Sequence, residues 1–122
     1  MPVSRISENA LRKLVKESID EKSTCVIKFY SNGCEYCHNL QDYYEEISDT
    51  YKDKENIHFF AFNVDDATDL DSLIKINGVP TIATVSTGDT HSRIRILEDP
   101  DPPNNHTWYF SKDIKNFIER EK

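Results

Sequence analysis

The sequence lacks the features that mark membrane, secreted and nucleic-acid-binding proteins. Its 122 residues contain no apolar run near the roughly 18 residues that a membrane span needs. Lys and Arg number 15 against 22 Asp and Glu, and the net charge of −7 disfavours binding to phosphate backbones and anionic lipid. The N-terminal residues lack the apolar core of a signal peptide. These absences predict a cytoplasmic protein with neither a nucleic-acid nor a membrane partner.

Cysteine is also scarce, and its number is odd. Three cysteines do not suit the disulfide framework of a small secreted domain, so a working pair with one spare thiol is the simpler interpretation. The pair is Cys34-Glu35-Tyr36-Cys37. The spare is Cys25, which lies in an apolar run and is expected to be a small buried side chain.

Apolar residues recur at helical spacing in four segments. Ser7 and Ser111 are positioned to cap the first and last helices, and the second helix begins at Cys34. A polar segment over 65–76 carries leucine and isoleucine at helical intervals and predicts a further short helix. The inward faces of the first two helices are predicted to hold Leu11, Leu14, Val15, Ile19, Leu40, Tyr43, Tyr44, Ile47 and Tyr51.

Four β-rich or continuously apolar runs predict strands over 25–30, 57–64, 81–85 and 93–97, the last two around a turn at 87–89. Helices and strands that alternate and end in a strand pair predict an α/β fold, with a central mixed sheet and helices on both faces. Because no repeat or low-complexity linker divides the chain, residues 1–122 are predicted to form a single domain.

Cys34 and Cys37 follow a predicted strand at the predicted start of a helix. The first turn of a helix has unpaired N–H groups and a partial positive charge, and both favour a thiolate, the nucleophilic form of cysteine. Their spacing places both sulfurs on one turn. Cys34 is therefore predicted to attack a disulfide, and Cys37, which lies deeper, to resolve the mixed disulfide.

Three other roles fit this cysteine pair less well. Chance packing is disfavoured by the strand before the pair and the helix after it. Zinc needs four ligands and usually a second such pair, which the sequence lacks. Cys34 to His38 matches the haem attachment pattern, but haem usually needs a distal methionine, and Met1 is the only one. No metal or cofactor is expected beyond a redox-active Cys34–Cys37 disulfide.

Gly78-Val79-Pro80-Thr81 lies at the entry to a predicted strand, one of the few places where a sheet tolerates proline. A Cys-x-x-Cys pair followed by Val-Pro-Thr resembles the thioredoxin superfamily, and the resemblance extends from about Lys22 to the C-terminus. It implies the thioredoxin fold, a cis bond before Pro80, and a proline that faces the cysteines. It also implies that Val79 offers its backbone to an extended substrate. The substrate-binding residues would be Gly33, Glu35, Tyr36, Val79, Pro80 and Thr81.

The sequence departs from the family's pattern at positions near the cysteines. The family usually has Trp-Cys-Gly-Pro-Cys, whereas this chain has Gly33 before the first cysteine and Glu35 and Tyr36 between the two. Lys28 stands where the family has a buried acid that relays protons to the second cysteine, and Ala61 replaces the partner lysine. Glu35 opposes ionisation of Cys34 by its like charge, while the helix terminus favours it.

Three residues are expected to modulate the pair: Lys28, His38 and Trp108. His38 follows Cys37 on the exposed side of the first helical turn. Trp108 aligns roughly with a family glycine that keeps the substrate groove open. Trp108 either anchors the last helix, as large aromatics usually do, or flanks the cysteine pair.

The resemblance predicts a thiol–disulfide oxidoreductase, and the departures from the family pattern predict an activity weaker and narrower than that of an ordinary thioredoxin. Its partners would be protein disulfide substrates and a reductase or small thiol that donates electrons, and a monomer is expected. Two alternatives stay open. One is a redox-inert adaptor that binds a protein partner through the Val79–Thr81 edge. The other is an oxidase or isomerase resembling protein disulfide isomerase domains, which works in an oxidising compartment.

Overall fold

A computed structural model describes residues 3–17, 19–88 and 92–122. Its strands are β1 (Val3–Arg5), β2 (Thr24–Tyr30), β3 (Ile57–Asn63), β4 (Thr81–Ser86) and β5 (Arg93–Ile96). Its α-helices are α1 (Glu8–Lys16), α2 (Glu35–Thr50) and α3 (Ser111–Glu121). Two short 3-10 turns, Val64–Asp66 and Leu70–Ser72, lie between β3 and β4.

The strands form one five-stranded sheet in the order β1-β3-β2-β4-β5. β1, β3 and β2 run parallel, while β4 and β5 are antiparallel to their neighbours. The predicted mixed sheet is therefore confirmed. β2 lies at its centre, which explains why six of its seven residues are buried and why the run reads as continuously apolar.

Each face of the sheet carries its own apolar core. On one face, α2 and α3 pack against β2, β3 and β4, with Tyr44 and Ile114 fully buried. On the other face, α1 contributes Leu11 to a cluster with Ile27 and Phe62. The prediction of helices on both faces is confirmed. The reactive end of α2 lies at the carboxyl edge of β2, between these two cores.

The segment after β3 differs from the prediction. The helix predicted over 65–76 is absent, and two separate 3-10 turns take its place. Asp69, at the start of the second turn, has φ −154° and makes no side-chain cap, so no regular helix begins there. Leu73 and Ile74 are nevertheless buried against the α1 face, so their helical spacing reflects burial in an irregular segment.

β1 was not predicted from the sequence. It has only three residues, with a single apolar side chain at Val3, and it becomes a strand by pairing Val3 with Phe59 of β3. So short a run has no periodicity of its own. Val64, predicted as the end of β3, belongs to the first 3-10 turn.

Several predicted helix residues also lie elsewhere. α1 ends at Lys16, before Ile19, and Tyr51 follows the end of α2 as its C-cap residue. Tyr43 points to solvent with 42% of its surface exposed, so its predicted inward position is wrong. Ser111 is the first residue of α3; the N-cap is Phe110, which makes no side-chain cap.

The predicted turn after β4 is partly visible. Gly88 follows β4 with φ 103°, and a Cβ at this position would come within 2.7 Å of the Lys22 backbone. Asp89, the last residue of the predicted turn, lies outside the described residues. Within residues 3–17, 19–88 and 92–122, no helix has the length and apolar character that crossing a membrane requires.

Candidate active site

Cys34 is the N-cap of α2, at the point where the chain leaves β2 and turns into the helix. Its backbone is extended, with φ −90° and ψ 105°, as is usual for an N-cap. The loop before it is fixed from β3: the backbone N–H of Asn32 donates to Asp65 Oδ2 at 2.9 Å, and the Asn63 amide donates to Asn32 Oδ1 at 2.9 Å. This loop holds the first cysteine at the carboxyl edge of the sheet.

Cys34 and Cys37 form a disulfide, with their Cα atoms 5.2 Å apart. The backbone N–H of Cys37 lies 3.1 Å from Cys34 Sγ, so an unpaired helix donor points at the first sulfur. Cys37 is buried, with 2% of its surface exposed, and Cys34 is only half-buried. A substrate approaching from solvent therefore meets Cys34 first.

The Val79–Pro80 segment lies at the same edge of the sheet as the cysteine loop. The Val79–Pro80 peptide bond is cis. Thr81, the first residue of β4, is paired with Phe29, next to the end of β2. Since Cys34 follows β2 closely, the register brings Pro80 to the end of the sheet that carries the cysteines. The Thr81 hydroxyl donates to the Gly78 carbonyl at 2.6 Å and closes the turn.

Lys28 lies in the interior, behind the disulfide. It is 5% exposed and is paired with Ala61 on β3. Lys28, Cys37 and Glu45 line one pocket of about 300 Å³. Burial lowers the pKa of Lys28, and the charge of Glu45 opposes that shift. The sequence predicts a cation near Cys37. The structure adds a carboxylate to this pocket, that of Glu45, which lies further along α2 than Cys37.

The exposed residues of the motif lie around the two sulfurs. Gly33, Glu35 and His38 are exposed. The His38 ring nitrogen Nε2 lies 3.0 Å from the Asn32 carbonyl oxygen, which ties the first turn of α2 back to the loop. A Cβ at Gly33 would meet no heavy atom within 4 Å, so the surface beside Cys34 is open at this glycine.

Trp108 flanks the motif through Tyr36. The two rings meet edge to face, with their centroids 5.5 Å apart. The Trp108 indole N–H donates to Asp99 Oδ1 at 3.2 Å. Tyr109, its neighbour, is 1% exposed and packs in the core with α3, and Trp108 also packs against this core from its partly buried position. Asp99 had no signal in the sequence, because it lies in a proline-rich loop without periodicity.

In the part of the chain that the structure describes, no three His, Cys, Asp or Glu side chains come together as a metal site. The arrangement thus consists of an accessible sulfur at a helix N-terminus, a buried sulfur joined to it, and a cis X–Pro bond at the same edge of the sheet. Such a pair can open and close by thiol–disulfide exchange.

Comparison with known proteins assigns this arrangement to a family. The family model described as Thioredoxin matches residues 3–100. A chloroplastic thioredoxin z structure superposes with a TM-score of 0.67 at 18% identity, covering 98% of this chain and 94% of that one. At that identity the likeness shows the fold, and it confirms the thioredoxin fold predicted from the sequence.

Curated relatives point to disulfide isomerases. A protein disulfide-isomerase of Schizosaccharomyces pombe (C17H9.14c) is 30% identical over 67 residues, covering 55% of this chain and 19% of that protein. The protein disulfide-isomerase of Drosophila melanogaster is 32% identical over 65 residues, covering 53% of this chain and 13% of that protein. The chain thus aligns with less than a fifth of the length of each of these relatives.

These relatives overturn the predicted location. The cytoplasmic prediction rested on the absence of a visible signal peptide. Both relatives, however, are named protein disulfide-isomerases, and disulfides form and persist in oxidising compartments such as the lumen of the endoplasmic reticulum. The cytoplasmic prediction is therefore wrong.

Proposed function

The chain belongs to the thioredoxin family, and on that premise we propose that it is a thiol–disulfide oxidoreductase acting on disulfides of other proteins. The observation that carries the proposal is the Cys34–Cys37 disulfide at the start of α2, with one sulfur half-buried and the other enclosed. All five strands of the described part of the chain belong to one sheet, which supports a single domain over residues 1–122.

The exchange proceeds in two steps from the reduced pair. The Cys34 thiolate attacks one sulfur of a substrate disulfide, and the other substrate sulfur leaves as a thiolate that takes a proton from water. Cys37 then gives its proton to the hydroxide left by the first step and attacks Cys34 Sγ, which releases the second substrate thiolate and forms the Cys34–Cys37 bond. Two electrons pass from the pair to the substrate, and the reverse sequence oxidises a dithiol.

The residues around the pair have distinct proposed roles. Gly33, Glu35 and Tyr36 form the rim that a substrate crosses. Val79, Pro80 and Thr81 present an edge to which an extended peptide pairs by its backbone. Lys28 and His38 modulate the sulfurs by charge. No bound cofactor is needed, because the electrons reside in the cysteine pair and are exchanged with a partner reductase or a small thiol.

The direction of exchange follows the isomerase relatives rather than cytosolic reductants. We expect the Cys34–Cys37 pair to have a reduction potential of about −180 mV, the value of protein disulfide isomerase. This potential is well above the roughly −270 mV of thioredoxin. Equilibration with glutathione buffers, read by tryptic mass spectrometry of the pair, gives this value directly. A potential at the thioredoxin value would assign the chain to the reductants.

Trapping tests the proposed chemistry itself. Reduced Cys37→Ser is expected to accumulate a mixed disulfide between Cys34 and a substrate protein, because the resolving sulfur is gone. Cys34→Ser is expected to form none and to lose exchange activity to background. Cys25→Ala is the matched control, since it removes a buried thiol away from the motif and should retain full exchange.

The adducts are identified by non-reducing gels and peptide mapping. An equal yield of adduct from Cys34→Ser and Cys37→Ser would contradict the assigned order of attack. If Cys34→Ser retained the protein's full function in cells although its exchange activity was lost, the redox-inert adaptor would be the better description.

A further inference from the structure

The loop between β5 and α3 is built around Trp108. Trp108 has φ 67°, and it is the only non-glycine residue with a positive φ among those the structure describes. Such a conformation is costly for a bulky residue and persists where the surroundings impose it. Here the imposing contacts are two backbone hydrogen bonds with Asn104, of 2.9 and 3.0 Å. The Asn104 side chain also accepts from the backbone N–H groups of His106 and Thr107.

The same loop is fastened to the helix that carries the cysteines. The Asn39 side-chain amide of α2 donates to the His106 carbonyl at 2.8 Å. The Trp108 ring meets the Tyr36 ring, and Tyr36 stands between Cys34 and Cys37 in the chain. Trp108 therefore forms a fixed wall against Tyr36, the residue that precedes Cys37.

A carboxylate completes this wall. Asp99 accepts from the indole N–H of Trp108 and, together with Thr81 and Tyr109, lines a pocket of about 280 Å³. Asp99 thus contacts Trp108 and shares a pocket with Thr81, the residue that follows the proposed substrate-binding edge at Val79 and Pro80.

The segments that carry the wall and the proposed site are acidic in sequence. The segments that carry the cysteine pair, the Val79–Pro80 edge and the wall, residues 31–39, 77–82 and 97–110, contain neither Lys nor Arg. They contain Glu35, Glu98, Asp99 and Asp101. Arg95 and Arg120 share a different pocket with Asp99. An aromatic face beside a carboxylate favours a Lys or Arg side chain, through cation–π attraction and charge-assisted hydrogen bonding. The acidic residues of these segments repel acidic parts of a substrate.

We propose that Trp108 and Asp99 determine specificity, selecting protein disulfides in which a Lys or Arg flanks the cysteine that Cys34 attacks. This inference rests on the proposed exchange activity and narrows its substrate class. The occupant of the wall is a basic side chain of an extended segment, whose backbone pairs with the Val79 edge.

The test compares matched peptides. Three peptides each carry one intramolecular disulfide and differ only in the residue after the attacked cysteine, which is Lys, Gln or Glu. The second-order rate constant of their exchange with the reduced protein is measured by stopped flow. We expect the Lys peptide to exceed the Glu peptide by about tenfold at low salt, and 1 M NaCl to reduce this ratio.

Three variants separate the contributions to that ratio. Trp108→Leu keeps apolar bulk but removes the π face, and Asp99→Asn keeps an acceptor for the indole but removes the charge. Each is expected to lower the Lys-to-Glu ratio by about threefold. Asp53→Asn removes the same charge from an exposed turn after α2 and should leave the ratio unchanged. If Trp108→Leu fails to fold, Asp99→Asn and the salt dependence decide the question alone.

The outcomes distinguish this inference from the proposed function. Equal rates for the Lys and Glu peptides would overturn the inference while the exchange activity stands. A Lys preference that survives in both Trp108→Leu and Asp99→Asn would also overturn it, since the preference would then arise elsewhere. No exchange with any of the peptides would reject the proposed function and the inference together.

Discussion

Lys28 is a charged residue in a buried environment. Its ammonium lies 5.4 Å from the ring centroids of both Tyr30 and Tyr44. Among the described residues no carboxylate comes within ion-pair distance of it. Burial lowers its pKa, and the charge of Glu45 opposes the shift only in part. A buried cation without a direct partner is usually destabilising.

Lys28→Met is expected to stabilise the fold at pH 7 by about 1 kcal/mol, because a buried charge is replaced by an apolar chain of similar volume. Since the folded-state pKa is lowered, folding releases the proton between that pKa and the unfolded value of 10.5, and the wild type gains stability as pH rises through this window. The advantage of the variant should therefore shrink toward pH 10.5.

Urea unfolding at pH 7 and pH 10 measures this difference. Lys52→Met, which removes an exposed lysine, serves as the control and should show no such trend. A loss of stability in Lys28→Met at neutral pH would mean that the two aromatic rings and Glu45 stabilise the ammonium more than burial destabilises it.

Cys25 offers a second test at the scale of one residue. It is 3% exposed, and burial raises the pKa of its thiol to about 11. At pH 8 the thiolate is therefore rare and shielded from reagents. We expect iodoacetamide to label Cys34 in the reduced native protein and to reach Cys25 only in urea, as read by peptide mass spectrometry. Labelling of Cys25 at the rate of an unfolded peptide would contradict this.

At the scale of elements, length and burial decide what the sequence reveals. β2 and β3 were predicted to within one residue because strands buried on both faces read as unbroken apolar runs. β1 could not be predicted, since three residues carry no period and its pairing partner lies far along the chain. The helix predicted over 65–76 failed because Leu73 and Ile74 are buried without a continuous helix beneath them.

Tyr44 joins α2 to the sheet. Its ring is fully buried, and its hydroxyl lies 2.8 Å from the Phe60 carbonyl and 3.1 Å from that of Val26. Tyr44→Phe removes the hydroxyl that bridges two strands and is expected to destabilise the protein by about 1–2 kcal/mol.

The neighbouring tyrosine is the matched control. Tyr43→Phe deletes the same atom from an exposed side chain and should change stability by less than about 0.5 kcal/mol. Urea midpoints of the two variants give the comparison. Equal midpoints would show that the Tyr44 hydroxyl contributes nothing beyond its ring.

At the scale of the whole molecule, the site combines segments that the sequence predicts with segments that it does not. Cys34, Cys37 and Pro80 could be predicted because a motif fixes their spacing, with a strand before the two cysteines and another after the proline. Asp99 could not, since its place beside Trp108 depends on a loop held by hydrogen bonds from Asn104, which no hydrophobic period records. Four of the five strands therefore follow from the sequence, whereas the contact of Asp99 with Trp108 is found only in the structure.

The redox state and the stability of the whole fold are linked by a thermodynamic cycle. In the folded chain, Cys34 lies at the N-terminus of α2 with the Cys37 N–H directed at its sulfur, a position that favours a thiolate, and an unfolded chain lacks it. Any interaction that favours the reduced pair in the folded state raises the reduction potential and stabilises the reduced fold by the same free energy. A change of 30 mV corresponds to about 1.4 kcal/mol, so the isomerase and thioredoxin values differ by about 4 kcal/mol.

With an isomerase-like potential, the reduced protein is expected to unfold at a higher urea concentration than the oxidised protein. Circular dichroism melts in urea, with and without dithiothreitol, measure the two midpoints. The double variant Cys34→Ala with Cys37→Ala cannot form the disulfide, so its midpoint should not respond to the reductant. A higher midpoint for the oxidised form would contradict the isomerase-like direction of exchange, because the cycle then requires that folding favours the disulfide, as in a reductant.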